Sequence, residues 1–176
     1  MAKKIVKRRG SQLEVRVRKT RPREVLTPPC PVNCKSPNAL HISFFTHTRN
    51  RYLDSSSTLV GVEQEATGQK TICVDKRVFF KRYHQLDYYI LISQVLESFK
   101  VMAYLHDSIT SQIMSMGESK YKGGKKVKRK ISKGLCVDLT WIQTFLGDRD
   151  SVHQLFEEAM EEYGMEPSEK GVHFVL

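Results

Sequence analysis

The side chains of this chain with the richest chemistry are six histidines, four cysteines and a group of paired glutamates near its end. His41, His47, His84, His106, His153 and His173 are scattered. None stands beside a Ser, Cys or carboxylate at a spacing that specifies a nucleophile–base pair or a general acid–base pair. Cys30-x-x-x-Cys34 with His41 supplies half of a zinc site, but the other two ligands are missing at metal spacing. Gly123-Gly124-Lys125-Lys126 looks like part of a phosphate cradle. It lacks the second glycine at the right distance and the Ser/Thr that follows the lysine. P-loop, dinucleotide fingerprint, HExxH and nucleophile elbow are all absent. The expectation is therefore a protein that is not an enzyme, with no catalytic, metal-binding or cofactor-binding residue.

What the sequence does concentrate is charge. The net charge is +10 over 176 residues, and it is unevenly placed. Residues 1–24 carry ten basic side chains (Lys3, Lys4, Lys7, Arg8, Arg9, Arg16, Arg18, Lys19, Arg21 and Arg23) against two acidic ones, a net +8. Residues 119–134 carry eight (Lys120, Lys122, Lys125, Lys126, Lys128, Arg129, Lys130 and Lys133) and no acid, again +8. Residues 135–176 hold nine acids against Arg149 and Lys170, a net −7. Two dense basic blocks point to phosphates, on nucleic acid or on an anionic membrane face. The acidic end suits a basic block of a neighbouring copy, with Glu157, Glu158, Glu161 and Glu162 as the candidate face for self-association. No nucleic-acid module is recognisable: RNP1 aromatics, a GXXG loop and zinc-finger spacing are missing. Tyr121 alone could stack on a base. No apolar core follows the N-terminal charges, and no apolar stretch is long enough to span a bilayer. The expected setting is one that keeps thiols reduced.

The elements that would carry these charges read as follows. Residues 1–38 suggest a flexible basic arm and Pro-rich linker, with Gln12 to Arg18 as an alternative edge strand. The folded part, 39–176, opens with Leu40, Ile42, Phe44 and Thr46 alternating with polar residues, a strand with one buried face. Short strands are expected near 58–63, 71–74 and 78–80, with a turn at Gly68. Residues 87–106 give a helical stripe of Ile92, Val95, Leu96, Phe99, Met102, Ala103 and His106, the last placed as a cap residue. A second short helix follows at 109–116. An exposed, mobile basic loop covers 118–134. Leu135, Val137, Leu139 and Trp141 alternate as a strand. Ser151-x-x-Gln154 matches a capping box for a last helix with Val152, Leu155, Phe156, Ala159, Met160 and Tyr163 inward. Gly164 and Pro167 end it, and Val172, Phe174 and Leu176 suggest a closing strand. The class is α+β: one compact domain whose mixed or antiparallel sheet is packed by a central and a C-terminal helix.

The order of these pieces resembles rhabdovirus matrix proteins, and the short matrix proteins of plant cytorhabdoviruses most. The resemblance runs through Leu40-His41-Ile42-Ser43-Phe44-Phe45-Thr46. It is most literal in Asp148-Arg149-Asp150-Ser151-Val152-His153-Gln154-Leu155-Phe156-Glu157-Glu158-Ala159-Met160, in Tyr163-Gly164-Met165-Glu166 and in Gly171-Val172-His173-Phe174-Val175-Leu176. Pro28-Pro29-Cys30-Pro31 departs from the PPxY motif that many animal members carry, because the tyrosine is missing. The basic stretch 120–133 is a second departure. The resemblance implies a virion protein between envelope and nucleocapsid. It would bind the inner membrane face, self-associate head to tail, condense the nucleocapsid ribonucleoprotein, meet the envelope glycoprotein tail and drive budding. In the host it would be found in the cytoplasm, at membranes and in the nucleus. A second function class is a non-enzymatic nucleic-acid-binding protein, either an RNA-binding viral accessory factor or a ribosome-associated one. Vesicle binding with concentration-dependent oligomers separates the first from the second.

Overall fold

The computed structural model describes residues 7–20, 37–81, 85–116, 120–122, 125–127, 134–162 and 172–175. Alternation of apolar and polar residues dominates the sequence, and strands dominate the structure. Five of them form one sheet in the order β1-β6-β2-β3-β7: β1 Lys7–Lys19, β2 Ala39–Asp54, β3 Leu59–Asp75, β6 Gly134–Gly147 and β7 Val172–Val175. The helices are α1 Lys76–Phe79, α2 Gln85–Ser98, α3 His106–Ser115 and α4 Arg149–Glu162. A separate two-stranded ribbon pairs β4 Lys120–Lys122 with β5 Lys125–Val127. The class is α+β, as the patterning implied.

The sheet is mixed. Ser43 bonds Thr71, Thr46 accepts from Thr67 and Asn50 donates to Glu63, so β2 and β3 run in opposite senses. They are joined by a tight turn in which Asp54 Oδ1 accepts from the Ser56 and Thr58 amides, both at 2.9 Å. Ser57 takes a left-handed φ of 63° there. Gly134 lies against the His41 carbonyl while Phe145 stacks on Tyr52, so β6 and β2 run in the same sense. Strand β7 pairs parallel with β3, with Val62 opposite Val172 and Glu65 opposite Val175.

Strand β1 lies in the stretch expected to be a flexible arm, and it realises the edge-strand alternative. Leu13, Val15 and Val17 are half-buried at a period of two, while Arg8, Gln12, Glu14 and Arg16 are exposed. That period satisfies a strand with one packed face. Arg18 Nε meets Asp138 Oδ2 of β6 at 3.0 Å, and the Thr20 amide donates to the Gly134 carbonyl at 3.1 Å. The remainder of the expected arm, apart from Thr20, Pro37 and Asn38, lies outside the described residues.

The chain divides into two compact units. One comprises Met1–Glu14, Thr46–Thr67 and Leu139–Leu176. Its core is Tyr52, Val152, Phe156 and Met160, with Val60, Phe145, Leu155 and Ala159 around it. Helix α4 can approach the sheet because residue 61 is glycine: a Cβ there would stand 2.8 Å from the Phe156 ring. Glu63 is buried and accepts from the Tyr52 hydroxyl at 2.9 Å and the Asn50 amide at 3.1 Å, which offsets its loss of water. The helix is capped by Asp148, not by Ser151 as the capping-box pattern suggested. Asp148 accepts from the Ser151 amide and hydroxyl at 3.2 and 2.7 Å, while Gln154 donates to Glu158. Gly164 and Pro167 lie outside the described residues.

The other unit comprises Val15–Phe45 and Gly68–Asp138. It buries Leu40, Ile42 and Phe44 of β2, Phe79 of α1, Ile92, Val95 and Leu96 of α2, and Ile109 and Ile113 of α3. Several expectations fail in this part of the chain. Gly68 lies inside β3, which runs unbroken through it. Of residues 78–80, expected to be extended, Val78 and Phe79 belong to α1 and Phe80 is its C-cap, because Asp75 caps the turn by accepting from the Arg77 amide at 2.8 Å. The central helix stops at Ser98. Val101 N bonds back to the Leu96 carbonyl at 3.0 Å and Lys100 takes a left-handed φ of 60°, a helix stop made without glycine. Met102 is consequently exposed, and His106 opens α3 with its buried ring donating from Nε2 to the Val101 carbonyl at 3.0 Å. Cys73 is disulfide-bonded, against the expectation of reduced thiols; spacing alone does not disclose such a pairing. Cys136 is buried, with its sulfur 3.6 Å from the Thr20 hydroxyl.

Candidate polyanion-binding surface

The basic residues singled out from the sequence fall into two structural settings. In β1 the backbone holds Lys7, Arg8, Arg9, Arg16, Arg18 and Lys19 in extended order. Arg8 and Arg16 are exposed, whereas Arg18 is partly committed to Asp138 with 27% of its side chain accessible. Lys19 is half-buried. Lys3, Lys4, Arg21 and Arg23 lie outside the described residues. The sheet adds two arginines that charge runs did not single out. Arg51 on β2 is exposed, and Arg49 donates to Gln64 of β3 at 2.8 Å and reaches Glu14 of β1 at 3.4 Å. Their only sequence signal was alternation within β2, in the run Thr48-Arg49-Asn50-Arg51-Tyr52.

The second setting is the ribbon. It places Lys120 opposite Val127, Tyr121 opposite Lys126 and Lys122 opposite Lys125. The expected mobile loop therefore contains hydrogen-bonded structure: a ladder of three pairs forms despite two lysines at partner positions, which oppose it. Gly123-Gly124, between the strands in sequence, is a pair favoured in two-residue hairpin turns. Lys128, Arg129, Lys130 and Lys133 lie outside the described residues.

The acidic candidates are all on α4. Glu157, Glu158, Glu161 and Glu162 are exposed on the face away from Val152, Phe156 and Met160. Glu157 lies 3.3 Å from His153 Nδ1. Among the described residues, no group of three or more His, Cys, Asp or Glu is placed to hold a metal ion. No helix among them is long and apolar enough to cross a membrane. The described basic candidates thus lie on β-structure, in β1 and in the ribbon, and the acidic ones on α4.

No family model, no curated protein and no solved structure matches this chain.

Proposed function

We propose that this chain is a non-enzymatic matrix-type virion protein that binds polyanionic surfaces and assembles with its own copies. It would lie on the anionic inner face of an envelope, hold the nucleocapsid ribonucleoprotein and condense it. The observation that carries the reading is the pair of separate basic elements, β1 and the β4–β5 ribbon, in a chain that also exposes an acidic helix face. Each Lys or Arg near an anionic leaflet contributes about 1 kcal/mol, diminished by salt. Two such elements on one protein raise avidity when both engage. The acidic α4 face offers a basic element of the next copy a complementary surface. Such a heterologous contact repeats into an open array, the form a coat layer requires.

The second reading, a nucleic-acid-binding accessory factor, is favoured by the ribbon itself, since a two-stranded ribbon fits a nucleic-acid groove. The test uses the full chain and a variant with Lys125, Lys126, Lys128, Arg129 and Lys130 replaced by Gln. Binding to phosphatidylserine vesicles and to polyuridylate is measured over a salt series. The matrix reading expects both ligands to bind and the variant to show a shallower salt slope for each. Binding of polyuridylate alone, by a monomer, would replace it with the second reading.

A further inference from the structure

Strand β1 stands at one end of the sheet order, and among the described strands its one neighbour is β6. An edge strand of 13 residues is long, and a row of unpaired N–H and C=O groups is a template for another chain. The direction of that row follows from one bond. The Thr20 amide points to β6, donating to the Gly134 carbonyl. With a period of two, the backbone groups of Arg18, Arg16, Glu14 and Gln12 also turn toward β6. Those of Val17, Val15, Leu13 and Ser11 turn to the open edge. Among the described residues the surroundings are open around 10–12: Ser11 and Gln12 are exposed, and a Cβ on Gly10 would meet nothing within 4 Å, while Leu13, Val15 and Val17 are half-buried.

Charge decides what can pair there. A second β1 laid antiparallel and centred on Leu13 would set Arg8 against Arg18 and Lys7 against Lys19. Like charges directly opposed destabilise a pair, so this centred register with its own copy is disfavoured. A nucleic-acid strand matches the charge but has no alternating amide and carbonyl groups to meet the row. An extended peptide with carboxylates at alternate positions matches both.

We propose that β1 is an acceptor edge for an acidic, extended peptide segment of a partner protein, which adds to the sheet beside β1. Main-chain bonds to Ser11, Leu13, Val15 and Val17 supply affinity, and Arg8 and Arg16 select for acidic residues. The proposal shares with the matrix reading only the charge of β1; the backbone edge is a separate observation.

The test is amide hydrogen exchange on the full chain with three probes. These are a decapeptide of alternating Glu and Val, the same peptide with every amide nitrogen methylated, and polyuridylate. The first peptide is expected to slow exchange at Ser11, Leu13, Val15 and Val17 by about tenfold or more, leaving Gln12, Glu14 and Arg16 unchanged. The methylated peptide keeps its charge but has lost its donors, and should protect none of the four. Reversing Arg8 and Arg16 to Glu should weaken the acidic peptide by about tenfold and allow a Lys–Val peptide to protect the same amides. The proposal is overturned if neither variant nor wild type shows protection at the four amides, or if the methylated peptide protects equally. Polyuridylate bound without protection at these amides leaves the polyanion reading standing, so failure of the edge and failure of that reading are distinct results.

Discussion

Residues 1–24 and 119–134 carry the same net charge, +8, yet their central parts fold differently. In the first, the stretch Lys7–Lys19 joins a five-stranded sheet. In the second, among the described residues, the stretch forms a short two-stranded ribbon, β4 with β5. The difference lies between the charges. Leu13, Val15 and Val17 recur at every second position of β1 and are half-buried, so one face has apolar area to contribute. Around 120–127 the side chains with apolar area are only Tyr121 and Val127, six positions apart, with glycine and lysine at the positions of the same parity between them, so no continuous apolar stripe forms. Charge density by itself therefore does not keep a segment out of a fold. Apolar residues at a strand period decide whether the segment joins a sheet, and an edge position lets the charged residues between them remain wet.

The largest effect expected from this contrast is in β1. Replacing Leu13, Val15 and Val17 together with Ser should cost about 3 kcal/mol, counting each side chain as half-buried. Urea unfolding would measure it, and a loss under about 0.5 kcal/mol would mean that β1 behaves as an arm after all. The matching change in the ribbon is the five-Gln variant. Its stability should stay within about 0.5 kcal/mol of wild type, while the slope of log affinity against log salt for RNA falls by as much as about four. A large loss of stability there would erase the contrast. A smaller effect is expected at Arg18, where substitution by Gln breaks the bridge to Asp138. At a part-exposed site that costs about 0.5–1 kcal/mol and shrinks in high salt.

The smallest effect concerns charges of opposite sign set close together. The Arg77 side chain, its hydrogen bond first and its backbone amide next, holds the exposed Asp75 carboxyl below its usual range. A lowered folded value means that the cap's contribution is fully present above the ordinary carboxylate range. It is lost only as pH falls through the lowered value. The Arg77 amide signal, followed by NMR through an acid titration, should therefore move below the pH at which a free aspartate titrates. Asp75→Asn should abolish that movement.

Much of the sheet was legible because burial imposes a period of two. Leu40, Ile42, Phe44 and Thr46, and Leu135, Val137 and Leu139, are buried as expected, and β7 falls on the expected closing segment; but Trp141 is only half-buried, and Ser43, Cys136 and Thr140 between the apolar positions are buried as well, so these stretches are covered on both faces. What stayed hidden was decided by tertiary context. Gly68 reads as a turn in isolation, yet it is carried by a strand whose Thr67 and Thr71, before and after it, bond Thr46 and Ser43 of β2. The stop after α2 uses Lys100 in a left-handed conformation, where sequence signals would look for glycine. Asp148 and Ser151 compete for the cap of α4, and their types alone do not rank them. The two basic runs were visible, and the edge strand at Gln12 to Arg18 was one of two readings of the first; the ribbon, and Arg49 and Arg51 on β2, were not.

Co-sedimentation of the full chain with vesicles, at several protein concentrations in low salt, tests the central claim most directly. One set of vesicles contains phosphatidylserine and the other only phosphatidylcholine. The account predicts binding to the anionic vesicles alone, rising more steeply than linearly with protein as copies assemble, and release by added salt. Equal binding to both kinds of vesicle, or none to either while the protein stays monomeric, would contradict it.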